Sequence, residues 1–378
     1  MSEASTGTGT GIGIGVGIVG LGGMGQLHAS NMRQEGADIV AGVDLVKEQR
    51  ERFGTEFGAE TYDSHEAMLD DESVDVDVVV VTTPNKFHEP IAVAALEAGR
   101  HVLVEKPLGH TLESAERIAA AAERAEGICM VGFHNRHAAS AAMFDAYKSQ
   151  GRFGRLTHVE ANYVRRRGVP GPGSWFTNPD LAGGGALLDI GVHAIDLALY
   201  MLDFPDVIEV SGTARTTFGT QKEYADPDGF GNNWNATVET YEVDDSVSAF
   251  IRCADGRTIT LEAGWATNRD PSQEFHVRGS NAGAQFEIGD SNLELLEAGT
   301  AGCDHYADTQ LTGDTSVTGH YEQDRVFLET VVAGDEPTTN TVDEALTVQQ
   351  VIDAIYRSSE TGRAVRLEDT HKATRTLD

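Results

Sequence analysis

Three residues have types and spacings that could move a proton and stabilise charge at a carbon–oxygen centre. Lys106 stands in Glu105-Lys106-Pro107, directly after the apolar run His101–Val104. That predicts a lysine at the carboxyl end of a strand, where ligands bind in open α/β sheets, and the proline keeps the chain from continuing as regular strand. Asp189 and His193 are four residues apart in Gly183-Gly-Gly-Ala-Leu-Leu-Asp189-Ile-Gly-Val-His193-Ala-Ile-Asp196. On a helix they share a face. A carboxylate beside an imidazole orients it and tunes its pKa, as a general base requires. Each feature also has a plainer reading: a surface lysine in a loop, and a hydrogen-bonded pair that only stabilises a buried helix. Asp196, three residues beyond His193, caps or pairs with neighbours as readily as it joins a site.

Something must position these groups, and the glycine motif Gly20-Leu-Gly22-Gly23-Met24-Gly25 says what. It reads as G-x-G-x-x-G after the apolar run Val16–Val19 and opens a helix-like stretch from Met24. The first glycine allows a tight turn, the second lets backbone approach a pyrophosphate, and the third lets the helix pack on a sheet. The helix N-terminus then offers unpaired N–H groups to the phosphates. Asp44 ends the next apolar run, Ile39–Val43, where a carboxylate accepts from a ribose diol and repels a 2′-phosphate; NAD is expected, with NADP disfavoured. Glycine fills every odd position from Gly7 to Gly17, and Gly15-Val-Gly17-Ile-Val-Gly20 fits the same pattern. No strand-like run precedes that second match and no helix pattern follows it directly, so it is set aside.

The pattern along the chain divides it. Residues 1–13 read as a flexible Gly/Thr tail. Over 14–134, strand-like runs (16–20, 39–43, 76–82, 101–104, 128–133) alternate with helix-like ones (24–35, 45–57, 64–69, 87–98, 112–126). Alternation with short loops predicts a doubly wound parallel Rossmann sheet, an α/β fold. From 135 to 378 a helix over 138–149 leads into runs of alternating polarity at 156–163, 207–217, 236–243, 246–253, 258–265, 274–277 and 285–288. Asp244-Asp245 and Asp255-Gly256 read as hairpin punctuation. Helices are expected over about 184–202, 321–332 and 342–358. The second half is therefore predicted as an α+β domain with an open, mainly antiparallel sheet, carrying substrate binding and oligomerisation.

Composition excludes some partners. Sixty acidic residues against 28 basic ones give a net charge of −32. Nucleic acid and anionic membrane surfaces would be repelled. The acids are spread among many apolar segments, which argues against disorder; the pattern resembles the surfaces of proteins from salt-loving archaea. Cys129, Cys253 and Cys303 lack metal or redox spacing, so a reduced cytoplasmic setting without a metal site is expected. No secretion signal is seen. The apolar stretch Ala186–Leu202 carries Asp189, His193 and Asp196 and is a poor membrane span.

Taken together, Gly20–Gly25, Thr83-Pro84-Asn85 with His88, His101-Val-Leu-Val-Glu105-Lys106-Pro107 and Gly183-Gly-Gly…Asp189-Ile-Gly-Val-His193-Ala-Ile-Asp196 resemble the Gfo/Idh/MocA oxidoreductases, relatives of glucose–fructose oxidoreductase and inositol dehydrogenase. The resemblance runs over about residues 14–367. It implies a Rossmann domain followed by a domain built on an open sheet whose exposed face supports homodimers or homotetramers. It implies Lys106, Asp189 and His193 as the catalytic set. Thr83, Pro84, Asn85 and His88 would flank the cofactor, and Glu105 and Lys106 the nicotinamide ribose. Trp175 stands where some relatives place a cofactor-proximal Trp-Arg pair; Phe176 replaces the arginine, which removes a phosphate contact and agrees with NAD.

The implied reaction is oxidation of a secondary or anomeric hydroxyl of a sugar, cyclitol or related polyol. His193 would take the hydroxyl proton, Lys106 would stabilise the oxygen, and Asp189 would hold the imidazole in its charged form. Substrate candidates besides His193 are Arg136, after the Phe133-His134-Asn135 turn, and Tyr163 and Arg165, at the start of Tyr163-Val-Arg-Arg-Arg167. The arginines suit a carboxylate or phosphate, and equally surface pairing or a subunit contact. His28 is expected to be structural. Two other readings stay open: a glycosidase that uses NAD transiently, and a non-catalytic NAD-binding sensor.

Overall fold

The computed structural model describes residues 11–171, 174–221, 223–227, 229, 241–316 and 318–367. The first half runs β1 (Gly15–Val19), α1 (Gly23–Gln34), β2 (Asp38–Val43), α2 (Lys47–Phe57), β3 (Glu60–Tyr62), α3 (His65–Leu69), β4 (Val78–Val81), α4 (His88–Glu97), β5 (His101–Glu105), α5 (Leu112–Arg124) and β6 (Cys129–Gly132). The strands form one parallel sheet in the order β3-β2-β1-β4-β5-β6. β4 is four consecutive valines, each wholly buried, because helices cover both faces of such a sheet. The order reverses between β1 and β4, so the carboxyl ends of these two strands frame the crevice where a dinucleotide lies. The glycine match that was set aside falls inside β1 itself. Residues 1–10 of the expected tail lie outside the described residues. Residues 11–13 are not loose: the Ile12 N–H donates to the Gly36 carbonyl at 3.0 Å.

The second half comprises α6 (Ala139–Ser149), β7 (Leu156–Val164), α7 (Pro179–Ala182), α8 (Val192–Met201), β8 (Val207–Arg215), β9 (Ser246–Cys253), β10 (Thr258–Gly264), β11 (Glu274–Gly279), β12 (Ala282–Glu287), β13 (Asn292–Gly299), β14 (His305–Thr312), α9 (Gly319–Ala333), α10 (Val342–Thr361) and β15 (Val365–Arg366). Its nine-stranded sheet has the order β14-β13-β12-β11-β7-β10-β9-β8-β15. All neighbours are antiparallel except β7 and β10, which run parallel from Thr258 beside His158 to Gly264 beside Val164. That single parallel pair brings the ends of two distant strands to one edge.

α8 packs against β7, β10 and α10. Nearly all of it is buried, including His193 and Asp196. The stretch Pro179–Met201 is apolar and long enough to resemble a membrane span, yet 83% of its most apolar window is buried inside the protein. One continuous apolar core links Val79 and Val104 of the first sheet to Leu188, Val192 and Leu199, and on to Val210, Ile251 and Leu261 of the second.

Three expectations need correction. The strand expected at 236–243 lies outside the described residues up to 240, and 241–243 are not strand. β3, β13, β14 and β15 were not expected. The helix expected from 184 instead opens with a π-helical turn over Leu187–Gly191 before α8 begins.

Candidate active site

At the nucleotide edge, β1 ends at a glycine turn. Gly20 has φ +98°, and a side chain there would meet the Thr82 carbonyl at 2.8 Å. A Cβ on Gly25 would stand 2.0 Å from the Gly20 carbonyl oxygen, so only glycine lets α1 sit this close to β1. Gly22 and Gly23, in contrast, face open space. Gly22 caps α1 without any side-chain hydrogen bond. The N–H groups that open α1 at Gly23 and Met24 therefore remain for a ligand. Asp44 accepts from the Leu21 N–H at 2.9 Å and the Val46 N–H at 2.8 Å. It thus braces the glycine turn, while its remaining lone pairs can still accept from a ribose. The Thr83 hydroxyl oxygen is buried without a hydrogen-bond partner. An open glycine cradle, an uncapped helix and an orphaned hydroxyl fit a dinucleotide.

Around the carboxyl ends of β4 and β5 the side chains are more committed than the sequence suggests. Asn85 is buried and donates to the Ala182 carbonyl at 2.8 Å, tying the loop after Pro84 to α7. His88 does not face the cofactor crevice. It is 1% exposed, with its ring nitrogens at 2.8 Å from the Pro107 carbonyl and 3.0 Å from that of Thr83. Its work is to join the ends of β4 and β5. Glu105 also turns inward: one oxygen meets His28 Nε2 at 3.1 Å, and the other accepts from the Lys106 N–H at 3.2 Å. His28 Nδ1 meets Asp324 of α9 at 2.7 Å. Burial opposes charge on His28, but Asp324 and then Glu105 outweigh it and raise its pKa to about 10. Burial likewise works against the Glu105 carboxylate, yet the His28 contact brings it down to about 2.

Lys106 reaches from β5 into the second half. Its Nζ donates to the Asp189 carbonyl oxygen at 3.0 Å and lies 3.4 Å from Asp189 Oδ1. The other carboxylate oxygen of Asp189 accepts from Trp265 Nε1 at 2.9 Å. Asp189 therefore does not hold the His193 imidazole. The expected shared face presumes 3.6 residues per turn, and the π-helical turn over Leu187–Gly191 winds more loosely. Nor is His193 biased toward its charged form. Burial, then the Lys106 ammonium, then His134 and His320, press its pKa well below the ordinary value. Its hydrogen-bonding neighbour is Asn135, whose Nδ2 lies 3.2 Å from His193 Nδ1.

Two more imidazoles stand beside it. His134 lies edge-on to His193 with ring centroids 5.1 Å apart, and stacks on His320 of α9 at 3.5 Å. Burial, with His320 next, lowers the His134 pKa to about 3, and its Nδ1 has no partner. Tyr163, at the end of β7, places its ring 6.4 Å from that of His193, and the Arg165 guanidinium lies 5.7 Å from the Tyr163 ring. Trp175 and Phe176 stack on each other at 3.8 Å and line a narrow cavity with Asn85, Lys106 and Asp189.

Arg136 is not available to a substrate. It is 3% exposed, its guanidinium forks onto Asp196 at 2.5–3.2 Å, and it contacts Glu344 at 2.6 Å. Of the arginine run, only Arg165 is at the site. Arg166 is exposed beside Asp270, and Arg167 donates to the Ala225 and Thr267 carbonyls.

The triple glycine that precedes Asp189 is fixed from outside. Asp244 accepts from the N–H groups of Gly185 and Leu187, both at 2.8 Å, and from Tyr356 at 2.7 Å. Asp244 is thus a buried clasp, where the sequence suggested a hairpin tip. Asp245 accepts from three successive N–H groups, Thr217 to Gly219. Trp265, Asp244 and His320 all escaped sequence reading. For Trp265 a signal was available, since it directly follows a strand, but its edge follows only from the parallel pairing of β10 with β7. Among the described residues, no group of three or more His, Cys, Asp or Glu side chains is arranged to hold a metal.

Comparison with known proteins gives this geometry a family context. Residues 14–133 match the Gfo/Idh/MocA oxidoreductase family model for the NAD-binding Rossmann fold, and residues 146–285 match the Gfo/Idh/MocA C-terminal domain. Over 359 residues the chain is 32% identical to the D-glucoside 3-dehydrogenase of Escherichia coli, covering 93% of this chain and 96% of that protein. It is 28% identical over 314 residues to an NADP-dependent D-xylose 1-dehydrogenase of Haloferax volcanii, covering 81% of this chain and 85% of that protein. The solved levoglucosan dehydrogenase in complex with NADH and levoglucosan shares the fold, with a TM-score of 0.82 at 22% identity over 94% of this chain and all of that one.

Proposed function

The chain belongs to the Gfo/Idh/MocA oxidoreductases, a premise from which we propose that it oxidises one ring hydroxyl of a sugar, with glucosides and anhydrosugars the substrates to try first. It is an NAD-binding oxidoreductase acting on CH–OH groups. The observation that carries the reading is the reach of Lys106 from the nucleotide-binding sheet to Asp189, one turn ahead of a buried, neutral His193.

In this reading the substrate lies between the halves. The Gly20–Gly25 cradle and the start of α1 would hold NAD, which would supply the hydride acceptor for the oxidised carbon. The chain's own residues manage the oxygen. The Lys106 ammonium donates to it and stabilises developing negative charge. His193 accepts the hydroxyl proton, for which its lowered pKa keeps it free at neutral pH. Nε2 can accept only if Nδ1 carries the ring proton. That requires Asn135 to present its amide oxygen rather than its nitrogen to Nδ1, a half-turn of the side-chain amide. Tyr163, Arg165 and the unpaired Nδ1 of His134 supply further polar groups for ring hydroxyls. Asp44 and the absence of a basic residue at Phe176 favour NAD over NADP.

We assign the acidic surface to life in high salt, the three free cysteines to the cytoplasm, and the exposed face of the large sheet, with Phe250, Leu296 and Tyr306 at its surface, to contact with a second copy of the chain.

The test is NADH absorbance across methyl glucosides, levoglucosan, inositols, aldoses and uronates in molar salt, with NADP in parallel. Turnover is expected with NAD on a cyclic sugar. Lys106→Ala is expected to lower kcat by about 10²–10⁴ with NAD affinity little changed. Wild-type turnover in that variant would overturn the assignment.

A further inference from the structure

Resting on the reading of Lys106 as the group that meets the substrate oxygen, we infer that Trp265 is a positioning residue for Lys106, acting through Asp189. Trp265 follows the last residue of β10 and is wholly buried. It belongs to a buried apolar cluster with Val169, Ala186, Ile190 and Phe218, and its backbone N–H donates to the Asp245 carbonyl at 2.9 Å. A buried indole N–H needs an acceptor, and this one takes Asp189 Oδ2 at 2.9 Å.

The consequence falls on the lysine. A carboxylate attached by single bonds can turn about its last torsion, and the Asp189 side chain is 18% exposed, so water could draw it outward. With Oδ2 held by a rigid, fully packed indole, Oδ1 can only face Lys106, and the Asp189 carbonyl adds a second acceptor for the same ammonium. The π-helical turn is what aims Asp189 at this pair and away from His193. Lys106 is in this way held from two sides by one residue, which is itself held by Trp265. Freed from the indole, the carboxylate would turn toward water or take the ammonium with both oxygens. Either change moves the ammonium off the substrate oxygen without touching the nucleotide cradle.

A double-mutant cycle over Trp265→Phe and Asp189→Ala tests this, with kcat and the KM for NAD read by NADH formation on methyl glucoside and levoglucosan. Trp265→Phe is expected to lower kcat about tenfold, with the KM for NAD within about twofold of wild type. In the Asp189→Ala background the same change is expected to cost nothing further. An equal loss in both backgrounds would mean that the indole only fills space, and would overturn the inference.

A substrate-free measurement separates this from failure of the catalytic reading. The chain has six lysines, so carbon-13 reductive methylation gives few NMR signals, and Lys106→Arg identifies the one that matters. Trp265→Phe is expected to move the Lys106 signal in the otherwise wild-type protein and to leave it in place in Asp189→Ala. A signal unmoved in both overturns the coupling. A signal that moves as expected, in a protein whose Lys106→Ala variant turns over normally, supports the coupling and overturns only the catalytic role of Lys106.

Discussion

His193 carries no carboxylate partner, and its chemistry follows from that. A neighbouring acid would raise the pKa of a buried imidazole and steady the charged form. Here the neighbours are an amide, an ammonium, two other imidazoles, the Tyr163 ring and the Arg165 guanidinium. The base starts neutral at neutral pH, and the proton it takes up is one it holds loosely. Asn135→Asp would change this at one atom by putting a negative charge beside Nδ1. The His193 pKa must then rise. Protonated His193 cannot act as a base, so the acidic limb of kcat/KM is expected to move to higher pH, by about 1–3 pH units, while NAD binding stays as it was. A pH–rate profile of the variant that overlays the wild-type curve would show that His193 is not the base. The sequence held half of this. The Asp189-to-His193 spacing pointed to the segment that meets Lys106, but paired the two residues by assuming regular α-helical winding. The π-helical turn that separates them leaves no mark in residue type.

At the scale of elements, the junction of α1, the end of β5 and α9 explains how Lys106 is held from below. His28 of α1 lies between Glu105 and Asp324, all three almost wholly buried, with Asn31 adding a hydrogen bond to Asp324 at 2.8 Å. The helix that presents the phosphate cradle, the strand that presents Lys106 and the helix that carries His320 are thereby pinned together. Breaking a buried charged contact from one side costs about 3–5 kcal/mol, so Asp324→Asn is expected to lower Tm markedly. The pH dependence has a definite sign. His28 ordinarily titrates at 6.5 and here at about 10, so its contribution is complete below pH 6.5 and is lost as pH rises through about 10. Glu105 titrates at about 2 rather than 4.5, so its share is complete above pH 4.5 and is lost as pH falls through about 2. His134 and His137, held neutral down to about 3 and 4, add a loss of stability as pH drops below 6.5. Thermal stability should be highest near pH 6.5 and decline as pH rises to about 10, because native His28 keeps a proton that the unfolded chain has released, and Asp324→Asn should bring the alkaline edge of that decline to lower pH. An alkaline edge unmoved by that substitution would remove His28 from the account. The first sheet was readable because β1, β2, β4 and β5 are apolar runs punctuated by helix signals. β14 was not, because this edge strand, His305–Thr312, is exposed along most of its length and shows no apolar face. His320 was unreadable for a different cause: nothing in its neighbourhood in sequence says that α9 returns to cover the turn at His134.

For the whole molecule the governing quantity is charge. Two kinds of electrostatic contribution pull in opposite directions as salt is added. Surface ion pairs such as Arg152 with Glu297 and Arg117 with Glu89 weaken when screened, but exposed pairs contribute only about 0–1 kcal/mol each. Against them stands a net charge of −32, spread over a surface with too few cations to neutralise it. That self-repulsion acts across the molecule and favours expansion. In about 1 M salt the Debye length falls to about 3 Å, and the long-range repulsion is removed while buried contacts are left intact. The forked pair of Arg136 with Asp196 is of that protected kind, as is the His28 cluster. Salt also strengthens apolar burial when the anion is excluded from the surface. The repulsive term is the larger, so Tm is expected to rise steadily from about 0.05 M to about 2 M potassium chloride, and activity in dilute buffer to decay with time as the chain opens. The same experiment with the Asp324→Asn variant should show a parallel rise, displaced to lower temperature, because its defect lies where salt does not reach. Equal melting temperatures in dilute and molar salt would mean that the local pairs matter more than the total charge, and the acidic surface would then need another explanation.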